Sequence, residues 1–435
     1  MKLCPPSGFR DFEPKEMILR KRIIDIIENC FIRYGFDPIE TPAIEHWEVF
    51  EGKYGEEAEN KLIYRFKDPW SNKIFALRFD LTVPMARFFA QRAFPLPFKR
   101  YHIGRVWRHE RPQKGRYREF WQADADIIGS SSPETDAELI DLTIHIFEKL
   151  GFKNFILKLN DRRLLKGIFE EELRIKEVLQ IYRAIDKLDK IGLEGVKGEL
   201  EKIISDKIIV RKILEIISWE KDPDDLLEYI SSNFLRNENV RIAINHLTEM
   251  LDLLSGRKSF LKLSLNLVRG LDYYTGPVWE VIISDLPLWS VAGGGRYDNL
   301  IELYSGKTTP ASGTSIGIER VIDAGKEIGL FTTSKQTYTQ IYVAPLSMEF
   351  YKFAWDIANV LRKNGFCVQI DLMRRSEKKQ REYVSKKNIP IIIFVGKKEV
   401  KNKILTIFFR DAQERAEIPS ANLINYLKEH ISHCG

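Results

Sequence analysis

Residues 99–126 read KRYHIGRVWRHERPQKGRYREFWQADAD. Within positions 99–118 this stretch carries Lys99, Arg100, Arg105, Arg108, Arg111, Lys114, Arg116 and Arg118 against a single acid, Glu110. A solvated charge run would not alternate so regularly with Tyr101, Val106, Trp107, Phe120 and Trp121. The alternation predicts two strands joined by the turn Arg111–Gly115, with one row of side chains buried and the other converging on an anion. Guanidinium groups bind phosphate oxygens through paired hydrogen bonds, so a polyphosphate is the ligand such a strand pair suits.

The flanking sequence fixes the organisation. At 435 residues the chain exceeds one ordinary core, and two or three domains are expected. Residues 14–34 place Leu19, Ile23, Ile26, Ile27, Cys30 and Phe31 on one helix face, with Pro14 in the first turn. Short strands are predicted at 62–66 and 74–78, a helix entering near Pro84, a helix over 134–150 and a strand over 155–160. From 162 to 254 Leu, Ile, Lys and Glu recur at helical spacing with few glycines, which predicts a helical insertion. Strand-like sequence resumes at Asn266, with Glu110 expected on the same strand face as Arg108. Beyond a polar linker at 325–337, strands and helices alternate, predicting a small α/β domain with a largely parallel sheet. The expected division is a core in two parts, 1–161 and 255–326, around the insertion 162–254, followed by a domain over 338–435.

Composition excludes several classes. No run approaches the roughly 18 apolar residues of a membrane span. The N-terminus has no hydrophobic signal region, and Cys4, Cys30, Cys367 and Cys434 form no CxxC pair, so a reducing cytoplasm is expected. His430 and His433 have a metal-like spacing without further ligands, and no metal site is expected there. Residues 338–435 hold 17 Lys/Arg against 10 Asp/Glu, so this quarter carries the whole of the net charge of +6. A basic domain on a near-neutral body fits a nucleic-acid contact as well as a lysine-rich surface.

Nucleotide-binding loops of the common kinds fail. Gly306-Lys307-Thr308 ends like a P-loop, but the glycine required five residues earlier is Ile301. Gly293-Gly294-Gly295-Arg296 lacks the dinucleotide spacing. Three other peptides stand out: LVRGLDYYTG at 267–276, AGGGRYDNLI at 292–301 and SGTSIGIERVI at 312–322. Paired tyrosines give flat apolar walls with hydroxyls, suited to a small polar ring. Glycines let backbone approach a ligand closely. Each peptide alone is compatible with a turn or a surface ion pair; the four together, in this order, are not.

In this order they resemble the class II aminoacyl-tRNA synthetases, and within them the histidyl-tRNA synthetase family. Residues 14–45 resemble the class's first motif, a dimer element; 100–129 the second; 312–322 the third. LVRGLDYYTG and AGGGRYD resemble the histidine-specific signatures, and RFDLTVPMAR resembles the Asp-Leu-Thr loop. Phe79 departs from the Pro or Tyr of many members, at a position not expected to touch ligand. The resemblance implies an α+β fold: an antiparallel-sheet catalytic core with a helical insertion and a C-terminal α/β anticodon-binding domain. It implies a homodimer that takes L-histidine, ATP with Mg²⁺, and tRNA(His), with no membrane partner.

By the same resemblance Arg108 and Arg269 are the catalytic arginines at the α-phosphate. Glu110 and Phe120 would hold adenine, and Arg116 and Arg320 the outer phosphates. Asp80, Thr82 and Gln122 would take the α-amino group, and Asp126 and Tyr273 the imidazole nitrogens between Tyr274 and Tyr297. Arg111, Gln113 and Lys114 would face the acceptor end, and Arg374, Arg375, Lys378 and Lys379 the anticodon backbone. A histidine-sensing regulatory subunit of ATP phosphoribosyltransferase, another class II synthetase and a plain RNA-binding module are the alternatives. The retained arginines and the two-tyrosine loop weigh against them.

Overall fold

The computed structural model describes residues 3–55, 58–268, 273–286, 290–332 and 335–430. Two compact units are formed, Met1–Asp11 with Arg22–Thr332, and Phe12–Lys21 with Thr333–Gly435. Among the described residues no helix is long and apolar enough to cross a membrane.

The chain opens on α1 (Pro14–Arg33), whose apolar stripe of Ile23, Ile27, Cys30 and Phe31 is buried. After β1 (Asp37–Pro38), three short strands, β2 (Ile44–His46), β3 (Arg65–Lys67) and β4 (Ile74–Leu77), make a small antiparallel sheet in the order β2-β4-β3. The strand expected from Leu62 begins only at Arg65, because Ala58–Leu62 winds into a helical turn. Helix α2 (Thr82–Ala90) follows, its first turn held by the Asp80 carboxylate, which accepts from the Val83 N–H at 3.0 Å.

The signature stretch folds as β5 (Phe98–Trp107) and β6 (Glu119–Ile128), an antiparallel pair in continuous register from Phe98↔Ile128 to Trp107↔Glu119. Arg108 and Glu110 lie past the end of β5, so the shared strand face expected of them is replaced by a loop. Helix α3 (Pro133–Leu150) and β7 (Phe155–Asp161) lead into α4 (Arg162–Leu165), α5 (Val178–Ile185), α6 (Leu188–Ile203), α7 (Lys207–Ile217), a short β8 (Glu220–Lys221), α8 (Pro223–Phe234) and α9 (Glu238–Leu253). The strand pattern then resumes earlier than expected, at β9 (Leu261–Ser264), and pauses until β10 (Pro277–Ile283) and β11 (Ser290–Arg296). After the single turn α10 (Glu302–Ser305), β12 (Ala311–Gly317) runs into α11 (Ile318–Glu327).

Nine of these strands form one sheet, ordered β1-β5-β6-β12-β11-β10-β7-β9-β8, antiparallel except for the β1–β5 and β7–β9 pairs. One face is apolar: Ala123, Ala125, Ile127 and Ile316 are buried under α3 and α11, with the hydroxyls of Thr143 and Thr314 2.9 Å apart. The period of two sends Gln122, Asp124 and Asp126 to the other face. Gly104, Gly293, Gly295, Gly313 and Gly317 fall on that same face by register; Arg78 fills the space over Gly104, Tyr274 that over Gly295 and Asp126 that over Gly313, while Gly293 and Gly317 leave room above the sheet.

In the second unit β13 (Ile341–Pro345), α12 (Tyr351–Lys363), β14 (Val368–Ile370), α13 (Glu377–Lys387), β15 (Ile391–Val395), α14 (Lys397–Asn402), β16 (Ile404–Phe409), β17 (Glu414–Pro419) and α15 (Leu423–His430) make a five-stranded sheet ordered β14-β13-β15-β16-β17. The largely parallel sheet expected here is a mixed one. β14, β13 and β15 are parallel, while β16 and β17 close it antiparallel. Edge strand β17, ERAEIP, buries only Ile418 and so shows no alternation to read. His433 and Cys434 lie outside the described residues; His430 stacks on Tyr426 at 4.1 Å.

Candidate active site

The open face of the large sheet forms the floor of a cavity of about 250 Å³. Its walls come from Arg108, Glu110, Arg116 and Phe120 at the β5–β6 end, Gln122 and Ser315 in the middle, Tyr273 and Tyr274 opposite, and Glu319 and Arg320 from α11. These residues are scattered over more than 200 positions of sequence. β6, β12 and β11 lie side by side, and that adjacency brings them together.

Arg108 is the most constrained cation. Its Nε donates to the Phe79 carbonyl at 3.1 Å, and its guanidinium carbon lies 4.4 Å from the Phe79 ring centre and 5.1 Å from that of Phe120. Two aromatic faces and one carbonyl therefore fix its plane and leave its remaining N–H groups for an anion. Phe79, expected to stand apart from ligand chemistry, is thus half of the mount that aims Arg108.

Arg320 donates from Nε to the Gly115 carbonyl at 3.1 Å and from Nη1 to the Ser290 carbonyl at 2.8 Å. It ties the β5–β6 turn to the start of β11. Arg116 stands at the cavity mouth, its side chain 46% exposed, 3.5 Å from Glu110. At the tip, Arg111, Gln113 and Lys114 are exposed; Gln113 and Arg116 close the turn through paired backbone hydrogen bonds, and Lys114 reaches Glu327 at 2.8 Å. Glu319 is buried and accepts from the Trp121 N–H at 2.8 Å, fixing α11 to β6.

At the far end, Gln122 donates from Nε2 to the Ser315 hydroxyl at 2.6 Å, while its Oε1 is buried without a hydrogen-bond partner. Asp80 receives the Tyr54 hydroxyl at 2.8 Å, and burial pushes its carboxyl above the usual carboxylate range. Thr82 opens α2 beside it. Tyr273 packs 4.6 Å from Tyr274 and edge-on to Tyr297 at 6.0 Å. Burial first, then neighbouring hydroxyls and Asp80, hold the Tyr273 hydroxyl protonated far above neutrality, so it is a standing donor.

Asp126 and Tyr297 meet below this floor. Both are buried; the Tyr297 hydroxyl donates to Asp126, and Arg100 of β5 pairs with its other oxygen at 2.5 Å. Neither lines the cavity, so the contact expected of Asp126 is one layer removed. Arg269 lies outside the described residues, as do the glycine, leucine and aspartate that follow it.

Residues 8–321 match the family model for histidyl-tRNA synthetase, and 340–430 that for an anticodon binding domain. The chain is 52% identical over 416 residues to a histidine–tRNA ligase of Aeropyrum pernix, with 95% of each covered. The chain belongs to the histidyl-tRNA synthetase family. A histidine–tRNA ligase of Korarchaeum cryptofilum is 51% identical over 430 residues, covering 98% of this chain and 99% of that one. The solved histidyl-tRNA synthetase of Nostoc sp. PCC 7120 superposes with a TM-score of 0.87 at 29% identity, over 99% of this chain and 100% of its own.

Seen as a histidyl-tRNA synthetase fold, the site contains residues that sequence reasoning passed over. Tyr54, Phe79, Arg100, Ser315 and Glu319 hold the groups that were singled out. Ser315 and Glu319 sit inside the quoted third motif, and Arg100 inside the opening stretch. Tyr54 carries no sequence signal, because only the fold brings its loop against Asp80. Arg296 and Asp298, prominent in AGGGRYD, turn away from the cavity: Arg296 is buried and pairs with Asp136 at 2.7 Å, which also holds His246 of α9 at 2.7 Å.

Proposed function

We propose that this chain activates L-histidine with ATP, giving histidyl-adenylate and pyrophosphate, and then transfers the histidyl group to the 3′ end of tRNA(His). The observation that carries this reading is the polarity of this cavity. An aromatic-mounted arginine stands at one end, and an amide, a hydroxyl and two tyrosines stand at the other.

In the first step a histidine carboxylate oxygen attacks the α-phosphorus and pyrophosphate leaves. Two anions must approach, and negative charge builds on the phosphorus oxygens. Arg108 would bridge both anions. Arg269 would supply the second cation, a role that rests on the family resemblance. Phe120 would stack on adenine, with Glu110 at its amino group, and Arg116 and Arg320 would hold the outer phosphates. Asp80, Thr82 and Gln122 would take the α-amino group. Tyr273 and Tyr274 would flank the imidazole, and Asp126 would act by holding Tyr297 and Arg100.

Among the described residues no group of three His, Cys, Asp or Glu could hold a metal ion. Mg²⁺ would therefore be carried by the phosphates and neutralise their charge beside Arg116. In the second step the terminal ribose hydroxyl attacks the acyl carbon and AMP leaves. Arg111, Gln113 and Lys114, exposed on the turn beside the cavity, would meet the acceptor end, and the second unit the anticodon. A homodimer acting in the cytoplasm completes the proposal. It is supported by the exposed Ile44 and Phe66, which the strand register sets on one face of the small sheet with Phe75 and Leu77, an apolar strip that a second copy would cover.

The test is amino-acid-dependent ATP–pyrophosphate exchange with all twenty amino acids, followed by charging of tRNA(His). Histidine alone should support exchange; exchange with another amino acid and none with histidine refutes the assignment. Arg269→Ala should abolish exchange without altering the melting profile.

A further inference from the structure

The segment before α1 makes no helix or strand, yet it grips the stem of the β5–β6 turn. Pro6–Phe9 is a β-turn closed by the Phe9 N–H on the Pro6 carbonyl at 3.0 Å. Gly8 is its third residue at φ 88°, a left-handed value that glycine adopts without strain. The two central carbonyls serve one side chain and its backbone. Arg118 donates its backbone N–H to the Gly8 carbonyl at 2.9 Å and its Nη1 to that of Ser7 at 3.3 Å. A Cβ on Gly8 would lie 2.7 Å from the Arg118 Cγ, so the missing side chain is what lets the Arg118 stem cross the turn.

Arg118 carries this grip to the opposite arm of the β5–β6 turn. Its Nε donates to the Glu110 carbonyl at 3.1 Å, and its own carbonyl accepts from the Arg108 N–H at 3.0 Å. Arg10 holds the preceding residue: its guanidinium carbon lies 3.5 Å from the centre of the Tyr117 ring, whose hydroxyl donates to Asp323 of α11 at 2.7 Å. Phe9 packs on Tyr64 at 6.4 Å, and Tyr64 stands edge-on to His109 at 5.0 Å. Arg108, Glu110, Arg116 and Tyr117 line one end of the cavity, and Gly8 and Arg10 stand behind them, outside its lining. The β5–β6 register ends at Trp107↔Glu119, so the arms beyond it take their spacing from contacts of this kind.

We infer that Gly8 and Arg10 are positioning residues for ATP, and that Ser7–Arg10 is a brace setting the two arms that carry Glu110 and Arg116. The inference rests on reading this end of the cavity as the ATP end. Nothing in the brace touches Gln122, Tyr273 or Tyr274, at the other end. Its loss therefore moves the nucleotide's kinetics and spares those of histidine.

The test is pyrophosphate exchange by the full-length chain at varied ATP and varied histidine. Arg10→Ala and Gly8→Ala should each raise the KM for ATP by about fivefold or more and leave the histidine KM within about twofold. Arg10→Lys, which keeps a cation for the Tyr117 ring, should recover most of the loss. In Tyr117→Ala the ring is already gone, so adding Arg10→Ala should change the KM for ATP no further. An unchanged KM for ATP in Arg10→Ala, equal rises for ATP and histidine, or independent losses in the double variant overturn the inference. Should Gly8→Ala fail to fold, the Arg10 variants and the double variant decide it. Absence of histidine-dependent exchange in wild type instead refutes the synthetase reading on which the inference rests.

Discussion

Arg320 donates to the backbone carbonyl of Gly115 at 3.1 Å, so a residue of the third motif holds the turn of the second. The same side chain faces the cavity where the outer phosphates of ATP would sit. In the proposed scheme, ATP binding and the placement of the tRNA-facing turn would share one guanidinium. Arg320→Ala should cost exchange at least a hundredfold and also raise protease cleavage within 111–116. Arg320→Lys, which keeps charge but cannot serve two carbonyls in a fork, should recover little. Normal loop protection in Arg320→Ala would show that the tie is idle.

Asp126 holds the Tyr297 hydroxyl and the Arg100 guanidinium beneath the floor. Removing it leaves Arg100, fully buried, without its counter-charge. Asp126→Ala should raise the histidine KM tenfold or more and leave the ATP KM within about twofold, as expected for a support confined to one end of the cavity. Equal shifts in both would place its effect on the whole core.

Gly295 faces the site beside Tyr274. A Cβ there would lie 2.8 Å from the Pro277 carbonyl and 2.9 Å from the Tyr274 ring. The ring can yield more easily than the strand, so Gly295→Ala should displace Tyr274 and raise the histidine KM by at least tenfold, at a cost of about 1–3 kcal/mol in stability. Unaltered histidine kinetics in a folded Gly295→Ala would remove Tyr274 from the pocket wall.

Asp124 makes a stability prediction. Burial, with Asp126 and Asp80 nearby and Arg100 opposing, raises its folded carboxyl to about 7, above the ordinary range near 4. The native state therefore binds a proton that the unfolded chain has lost between these values, and stability falls as pH rises through this window. Above pH 7 the full cost of a buried charge is present. Asp124→Asn should be more stable than wild type at pH 8 by on the order of 1–3 kcal/mol and no more stable at pH 4. Thermal melts across pH 4–8 read this directly, and a gain that is the same at both ends contradicts the raised titration.

In the second unit, Arg374, Lys378 and Lys379 are exposed after β14 and in the first turns of α13. Arg375 is not equivalent to them: its N–H bonds the Asp371 carboxylate at 2.8 Å and its guanidinium lies 4.4 Å from the Tyr383 ring. Lys378→Glu with Lys379→Glu should raise the KM for tRNA(His), reduce the salt dependence of charging and leave exchange unchanged. Arg375→Glu should additionally lower the melting temperature of the unit. A double variant with wild-type tRNA kinetics would move the contact off this face.

Charge, alternation and four short peptides made much of this protein legible in the chain alone. The β5–β6 pair reads directly from 99–126, because a period of two sets Gln122, Asp124 and Asp126 against Ala123, Ala125 and Ile127; the expected arginine row does not form, since Arg100 and Arg105 fall on opposite faces of β5 and the other arginines lie in the connecting loop. Helices α1 and α3 read equally well from their buried stripes, and the failed loop motifs removed the common nucleotide folds. Where backbone geometry departs from periodicity, the sequence is silent. Arg108 and Glu110 leave their strand, β17 has too little buried surface to alternate, and Tyr54 reaches Asp80 only through a loop.

Partnership was decided by the tertiary structure alone. Asp124 and Asp126 are two residues apart on one strand face and have the same chemistry. They differ in what the neighbouring strands bring to them: Arg100 and Tyr297 to one, His102 and Ser315 to the other. A carboxylate's role is set by the dielectric and the donors around it, and those come from residues as far away as position 315.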